Sequence, residues 1–600
     1  MTILYGLLAM QTLHCDRRIL SKLQGEIDTP GVDEVVVDEP GFVLRLRRTG
    51  SEATRVILGT AQDGVRVAIV GRPLGVAQDV AQLEGGQVAE SVRELDGYWL
   101  AFAYDEQRQS LEVLCDRLGV AWLYWARVPD GVAFSSDFGA LARSLPRVPR
   151  LNEDACLLLV TLTYPVDDST CFDEIRLVSP DSALTFQEGR VSRKRLRAPE
   201  YGDRWAGASL AAKFEVLEAA LDASYKAWSR ADAPTDWAVS LSSGNDSRYG
   251  LGVLLRHGQR PACATFGLPG STDVKGALAA CRQERLRHEL FNPDRRTPWQ
   301  SWSAAVQRLG VVAGYQYGAG WAHDWRRTLA SLKGQVVLGY LGDALSGRHV
   351  VDRFGGDWLA NWEAWSLDER ADRSWTSSDV LRAEARDRVR DMMRAALLQA
   401  CDGAQFAFAH QQALHLDLFC RQRRIAASQV NFLSDEVPVA PLFYTRAMID
   451  FWSNLAYDDL RGQALYLDYA RARFPTLFTP PRPPSLLRRA RGTLVNALVA
   501  TFPSLRRHLA PPEIDTRLLV AQHLNRLRAL IRDHGDAISQ IVDPAALSGW
   551  VDGFRTRESM RAPQLQRFWN LLLLVEAGVG GQRREGIGER PVQERHSSAA

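Results

Sequence analysis

The first 200 residues carry short runs in which apolar and polar positions alternate: Phe42–Leu46, Val56–Leu58, Val67–Val70, Tyr98–Tyr104, Leu111–Leu114, Trp122–Trp125 and Val132–Phe134. Gly, Asp and Pro turns separate most of them. A period of two at this spacing predicts a strand-rich region, broken by helices over Asp137–Ser144 and Asn152–Leu162. The stretch Gly189–Gly207, with five arginines, a lysine and a proline, predicts a boundary. Beyond it the period changes. Leu210, Phe214, Leu217, Leu221 and Tyr225 repeat at helical spacing, and strand-then-helix units follow. Trp237–Leu241 precedes a helix Ser247–His257, Ala262–Phe266 precedes Asp273–Arg285, and Gln335–Tyr340 opens into a loop. Such alternation predicts a parallel, doubly wound sheet with ligands at the carboxyl ends of its strands. From about 376 the chain reads as helices, interrupted by the prolines at 480–484. After Ala577 a Gly-, Arg- and Glu-rich tail lacks any apolar period, which predicts disorder. The expected division is 1–200, 208–577 and a tail 578–600.

Composition narrows the function classes. The 600 residues include 73 basic and 71 acidic side chains, a formal charge of +2. That balance leaves no broad basic footprint for nucleic acid. Eight cysteines without a C-x-x-C pair or a Cys/His cluster predict free thiols, hence neither a disulfide framework nor a zinc site. The start, Met1 to Leu8, has no positive n-region, and no apolar run reaches the ~18 residues of a membrane span. These features predict a cytoplasmic protein. Only six lysines occur, at 22, 194, 213, 226, 275 and 333.

The strongest local signal is Ala238-Val239-Ser240-Leu241-Ser242-Ser243-Gly244-Asn245-Asp246-Ser247-Arg248. A hydrophobic strand runs through small residues into a helix. Small side chains let backbone N–H groups converge on an anion, and a helix N-terminus adds partial positive charge. Asp246 stands where a carboxylate could hold Mg²⁺ against phosphates. The same residues also read as a serine-rich turn with Asp246 as an N-cap.

Ser242 to Ser247 resembles the SGGxDS pyrophosphate loop of the asparagine synthetase-like ATP pyrophosphatases, with Ser243 in place of the first glycine. Val336-Val337-Leu338-Gly339-Tyr340-Leu341-Gly342-Asp343-Ala344-Leu345-Ser346-Gly347 resembles that family's second phosphate and metal segment, with Leu341 at the second glycine position. The resemblance implies an ATP site built from Leu241, Ser242, Ser243, Gly244, Asn245, Asp246, Ser247, Phe266, Gly339 and Gly342, with Asp246 and Asp343 sharing magnesium. Gly342 to Arg348 is a near miss for a Walker A loop, but it lacks the lysine and the following Ser/Thr. Phe266, Asp273, Lys275 and His288 fit the family's strand–T-F-G–acidic helix–His order.

The first 145 residues resemble the same family's Ntn-type glutaminase domain. Asp96-Gly97-Tyr98-Trp99-Leu100-Ala101-Phe102 is similar to its D-G-x-x-A-F strand, and Asp116-Arg117-Leu118-Gly119, Leu123-Tyr124 and Phe134-Ser135-Ser136-Asp137 follow in the family's order. Together these resemblances imply an Ntn-like αββα sandwich followed by a mostly helical synthetase region with a parallel-sheet nucleotide-binding core. The family's N-terminal cysteine nucleophile is replaced by Thr2, and Gly71-Arg72-Pro73 occupies the loop that holds glutamine in the family. Loss of that cysteine is shared by β-lactam synthetases and by the macrolactam synthetases of lasso peptides. Tyr340 matches the catalytic tyrosine of the β-lactam enzymes, with Glu363 or Glu369 as its partner; Tyr340 reads equally as a strand-end packing aromatic. Arg421-Gln422-Arg423-Arg424, Pro438 to Phe443, Phe451-Trp452 and Arg461 to Tyr466 resemble the lasso cyclase version of the helical half. The family's late lysine is absent after Lys333, leaving Arg482 to supply charge.

The resemblance therefore implies an AMP-forming ligase that uses ATP and Mg²⁺ on a leader-cleaved core peptide, working with a leader peptidase and a leader-binding protein. Trp299, Trp302, Trp321, Trp325, Trp358, Trp362 and Trp365 are candidates to line a peptide pocket. A β-lactam synthetase-like enzyme and a catalytically silent nucleotide-binding scaffold are the alternatives.

Overall fold

A computed structural model describes residues 3–10, 17–27, 31–48, 54–75, 88–180, 182–196, 200–230, 236–293, 299–310, 322–349, 379–434, 436–478, 516–554 and 561–583. Thr2, Glu363, Glu369, Arg482, the prolines at 480–484 and Trp321, Trp358, Trp362 and Trp365 lie outside them.

The alternating N-terminal runs build two six-stranded antiparallel sheets. The strands are β1 (Ile3–Ala9), β2 (Val32–Asp38), β3 (Phe42–Arg48), β4 (Arg55–Thr60), β5 (Arg66–Leu74), β6 (Asp96–Asp105), β7 (Ser110–Cys115), β8 (Tyr124–Val128), β9 (Gly131–Ser135), β10 (Ile175–Leu177), β11 (Ser182–Gln187) and β12 (Arg190–Arg195). They are ordered β10-β8-β9-β1-β3-β2 and β12-β11-β7-β6-β5-β4. The pleat of β1 sets the layering, because successive side chains face opposite ways. Leu4 and Leu8 turn inward to meet Phe102, Tyr104, Leu111 and Val113 of the other sheet. Ile3, Tyr5 and Leu7 turn outward under the helices Arg17–Glu26 and Phe138–Ser144. Val88, Ala89 and Val92 of a short helix cover the far face of the second sheet, over Val67, Ile69 and Trp99. The strand expected at Trp122–Trp125 begins two residues later, because the backbone before it is taken by a turn that faces the rest of the chain.

Strand β13 (Glu200–Tyr201) pairs in parallel with β18 (Gln405–Phe406). The remaining strands form one all-parallel sheet: β14 (Trp237–Ser240), β15 (Ala262–Phe266), β16 (His288–Phe291), β17 (Gln335–Val337) and β19 (Val439–Ala440), ordered β16-β15-β14-β17-β19. The chain adds β15 and β16 on one side of β14, then crosses to add β17 on the other. The strand order therefore reverses between β14 and β17, the place where parallel sheets open a crevice. Strand β17 ends at Val337, short of the expected Tyr340, because the chain turns there through a left-handed Leu341 into the helix Gly342–Leu345. The fold is thus mixed α/β with several sheets, the five-stranded one and the short β13–β18 pair being parallel.

The helical region from Ala383 contains a ten-residue π-helix, Asp417–Ala426, nearly all buried. The helix Arg561–Arg583 runs past the expected start of a tail at 578. Leu571 to Val575 are buried there, and Gly578 sits so tightly on Phe172 that an added Cβ would lie 2.4 Å from its ring. Packing against the helices Phe138–Ser144 and Glu153–Thr161 and against Phe172 holds the helix beyond the point where the local composition would let it fray. The seven described cysteines are free thiols. Among the described residues no helix is long and apolar enough to cross a membrane.

Candidate active site

At the β14/β17 switch point lies a cavity of about 280 Å³. Its polar end is lined by Leu241, Ser242, Gly244, Asp246, Ser247, Gly339, Tyr340 and Asp343; Phe266 and Trp325 line another part. The remaining wall comes from Ala305, Val306 and Leu309 of the helix Trp299–Leu309 and from Arg421, Gln422, Phe432 and Leu433. Three expected residues do not line it. Ser243 donates its N–H and hydroxyl to Asp273, itself a lining residue, at 3.0 and 2.6 Å. Asn245 accepts from the Arg248 guanidinium at 2.7 Å. Gly342 lies behind Asp246 and lacks a side chain to project.

The loop after β14 is braced from within. The Ser242 N–H donates to the Ser247 hydroxyl at 3.0 Å and the Gly244 N–H to the Ser242 hydroxyl at 3.0 Å. Gly244 is the N-cap of the helix Asn245–Arg256, so Asp246 sits in its first turn instead of capping it. The N-cap alternative for Asp246 is therefore ruled out.

Asp246 and Asp343 come from the ends of neighbouring strands, and two glycines set their approach. A Cβ on Gly339 would stand 2.7 Å from the Asp246 Cβ, and one on Gly342 would stand 2.7 Å from its carboxyl. Any side chain at either position would push the two segments apart. Burial, then the negative charge of Asp343, pushes the Asp246 carboxyl up to about 8. The Tyr466 hydroxyl, donating to it at 2.8 Å, and Arg348 pull the other way. Two hard-oxygen carboxylates converging at a cavity mouth suit Mg²⁺, which usually takes only one or two protein carboxylates and completes its shell with phosphate and water. Among the described residues no cluster of three or more His, Cys, Asp or Glu is arranged for a metal.

Around this pair lie His349 and Asp417, which sequence reasoning missed, and residues of segments it had singled out without giving them this place. His349 Nδ1 meets Asp417 at 2.7 Å, while its Nε2 stands 3.9 Å from Asp343. Asp417 also accepts from Arg421 at 3.4 Å and Gln422 at 3.3 Å. Gln463 donates to the Ser346 hydroxyl at 2.6 Å, fixing the helix that carries Asp343. Tyr466 lay in a segment singled out by resemblance, but nothing local marks it, since Tyr466 and Tyr469 share the spacing of an ordinary core face.

Tyr340 lines the cavity, and its buried hydroxyl has no hydrogen-bond partner among the described residues. Burial, with Asp116 and Asp417 nearby, holds that hydroxyl well above the usual phenol range. Of the other expected residues, His288 bonds the Thr265 hydroxyl at 2.8 Å, Lys275 is exposed, and Trp302 is core, stacked on Trp569 at 4.8 Å.

Residues 80–197, about a fifth of the chain, match the glutamine amidotransferase domain family. Among solved structures, a glutamine phosphoribosylpyrophosphate amidotransferase from B. subtilis, complexed with ADP and GMP, is 12% identical over 56% of this chain and 81% of its own, with a TM-score of 0.23. An allosteric regulatory enzyme of purine biosynthesis is 10% identical over 44% of this chain and 65% of its own, also with a TM-score of 0.23. No curated protein matches the chain. The N-terminal region is thus similar to the domains of glutamine amidotransferases.

Proposed function

We propose that this chain is an AMP-forming amide ligase that closes a lactam within one substrate, with residues 1–200 as a glutaminase-like Ntn domain and 208–577 as the adenylating domain. The observation that carries this reading is the Asp246/Asp343 pair at the strand-order switch, brought together by Gly339 and Gly342 above a cavity with an unpartnered tyrosine hydroxyl. A substrate carboxylate attacks the α-phosphorus of ATP, the α–β phosphoanhydride bond breaks and pyrophosphate leaves. The substrate's own amine then attacks the acyl carbon, loses a proton and expels AMP. Asp246 and Asp343 would hold Mg²⁺, which neutralises phosphate charge when bound. Ser242, Gly244 and Ser247 line the phosphate end, Phe266 and Trp325 the apolar part, and Tyr340 faces the reacting groups. The chain's work is placement and charge neutralisation.

In this reading the amine comes from the substrate and not from glutamine. A peptide N-terminus, with a pKa of about 8, already has roughly a tenth of its amine free at pH 7. The substrate proposed is a leader-cleaved core peptide whose Asp or Glu side chain is activated, as in lasso peptide cyclases. A second reading, a β-lactam synthetase-like enzyme on a small amino acid, is favoured by the modest cavity volume. The test is mass spectrometry of a core peptide and of a small amino acid substrate, each incubated with the chain, Mg²⁺ and ATP. Loss of one water from the peptide, with AMP and pyrophosphate released, supports the macrolactam reading. Loss of water from the small substrate alone replaces it with the second, and absence of AMP with both refutes ligase activity.

A further inference from the structure

The D-R-L-G turn of the N-terminal region does something its resemblance to glutaminases does not require. All four of its residues face the cavity-bearing half of the chain. Asp116 is fully buried; its carboxylate accepts from the N–H groups of Val120 at 2.9 Å and Ala121 at 2.8 Å, and from the Tyr444 hydroxyl. The Leu118 N–H donates to that same hydroxyl at 3.0 Å. Arg117 pairs with Asp450 at 3.2 Å. Gly119 closes the turn at φ +63°, where a Cβ would stand 3.1 Å from the Arg423 guanidinium.

Two of the three contacted side chains, Tyr444 and Arg423, lead to the cavity wall. The Tyr444 ring packs edge-on against Tyr340 at 5.9 Å. Arg423 lies one residue from Gln422 and two from Arg421 on the π-helix. It is anchored to the N-terminal region by Asp168 at 2.7 Å and the Val178 carbonyl at 2.8 Å. The Trp122 indole donates to the Arg423 carbonyl at 3.1 Å, and Arg424 donates to the Ser169 carbonyl at 2.7 Å. A π-helix is an uncommon backbone that persists where surroundings determine it. Here the anchors turn Arg423 and Arg424 toward loops of the N-terminal region while Arg421 and Gln422 line the cavity.

We infer that the Asp116–Gly119 turn is a positioning device for the adenylation cavity: through Tyr444 it fixes Tyr340, and beside Arg423 it fixes the π-helix that presents Arg421 and Gln422. The N-terminal region is then a working part of the second site and not only the remnant of a first. This inference rests on the ligase reading for its kinetic arm alone. Tyr444 is a positioning residue: it touches Tyr340 and does not line the cavity.

The experiment uses the full chain with Tyr444→Phe, which keeps the ring, and Gly119→Ala as a second variant. Amide hydrogen exchange, which needs no ligand, is expected to rise about tenfold, equivalent to about 1.4 kcal/mol, over 338–345 in Tyr444→Phe and over 417–426 in Gly119→Ala. β1 and β9 should stay unchanged. Unchanged exchange in both cavity segments overturns the inference, whether or not the chain proves to be a ligase. With the core peptide and Mg·ATP, Tyr444→Phe should lower kcat about tenfold with KM for ATP within twofold, and should add less than twofold in a Tyr340→Phe background. A faster-exchanging variant with wild-type kcat also overturns it, by reducing the turn to a structural contact.

Discussion

Asp246 carries a stability cost that the proposed activity explains, and Asp246→Asn isolates it. An exposed aspartate titrates near 3.8, whereas Asp246 is held up to about 8 by burial and by Asp343. Between those values the folded chain binds a proton that the unfolded chain does not, so the stability contributed is full below about pH 4 and is lost as pH rises toward 8. At 1.36 kcal/mol per unit, the loss is on the order of several kcal/mol by pH 8 and above. Asn keeps the shape, still accepts from the Tyr466 hydroxyl, and never ionises. Asp246→Asn should therefore unfold at a higher temperature than the parent without nucleotide, by a margin that widens from pH 5 to pH 9. In a chain this long each kcal/mol moves the midpoint by about 2 °C or less. Adding Mg·ATP should reverse the order, stabilising the parent and not the variant, which should release no pyrophosphate. The assay is thermal unfolding followed by circular dichroism across that pH series. A variant less stable than the parent at pH 9, or a difference that ignores pH, would refute the reasoning.

Other outcomes follow from the same geometry. Gly342→Ala places a methyl 2.7 Å from the Asp246 carboxyl, so pyrophosphate release should fall ten- to a hundredfold while far-UV circular dichroism is kept. Tyr466→Phe removes a bond that favours the ionised carboxylate; Asp246 titrates higher, and the alkaline-rising limb of the pH–rate profile should move to higher pH. Val306→Trp fills the apolar wall of the cavity and should abolish Mg·ATP binding by calorimetry with the N-terminal sheets intact. Trp302→Phe removes the indole donation to Asn570 at 2.8 Å from a core stack outside the cavity. It should cost about 1–3 kcal/mol in denaturant unfolding and leave the pH–rate profile unmoved.

Sequence alone determined the pieces whose physics is local. The period-two runs became two antiparallel sheets, because one face of each strand must be buried. Ala238 to Arg248 became strand, turn and helix, because small residues at a strand end leave little else. Gly339, Gly342, Asp246 and Asp343 stood in the two segments that carry the family resemblance. Tertiary structure decided what depends on partners distant in the chain. The order β16-β15-β14-β17-β19 puts the two aspartates side by side, and no local pattern encodes a strand order. Ser243, expected at the phosphates, is captured by Asp273, thirty residues on. Tyr466 reaches Asp246 across 220 residues and Tyr444 reaches Asp116 across 328. Those partners look like ordinary core aromatics in the sequence, since a hydroxyl acquires its role only when burial removes water as its alternative partner.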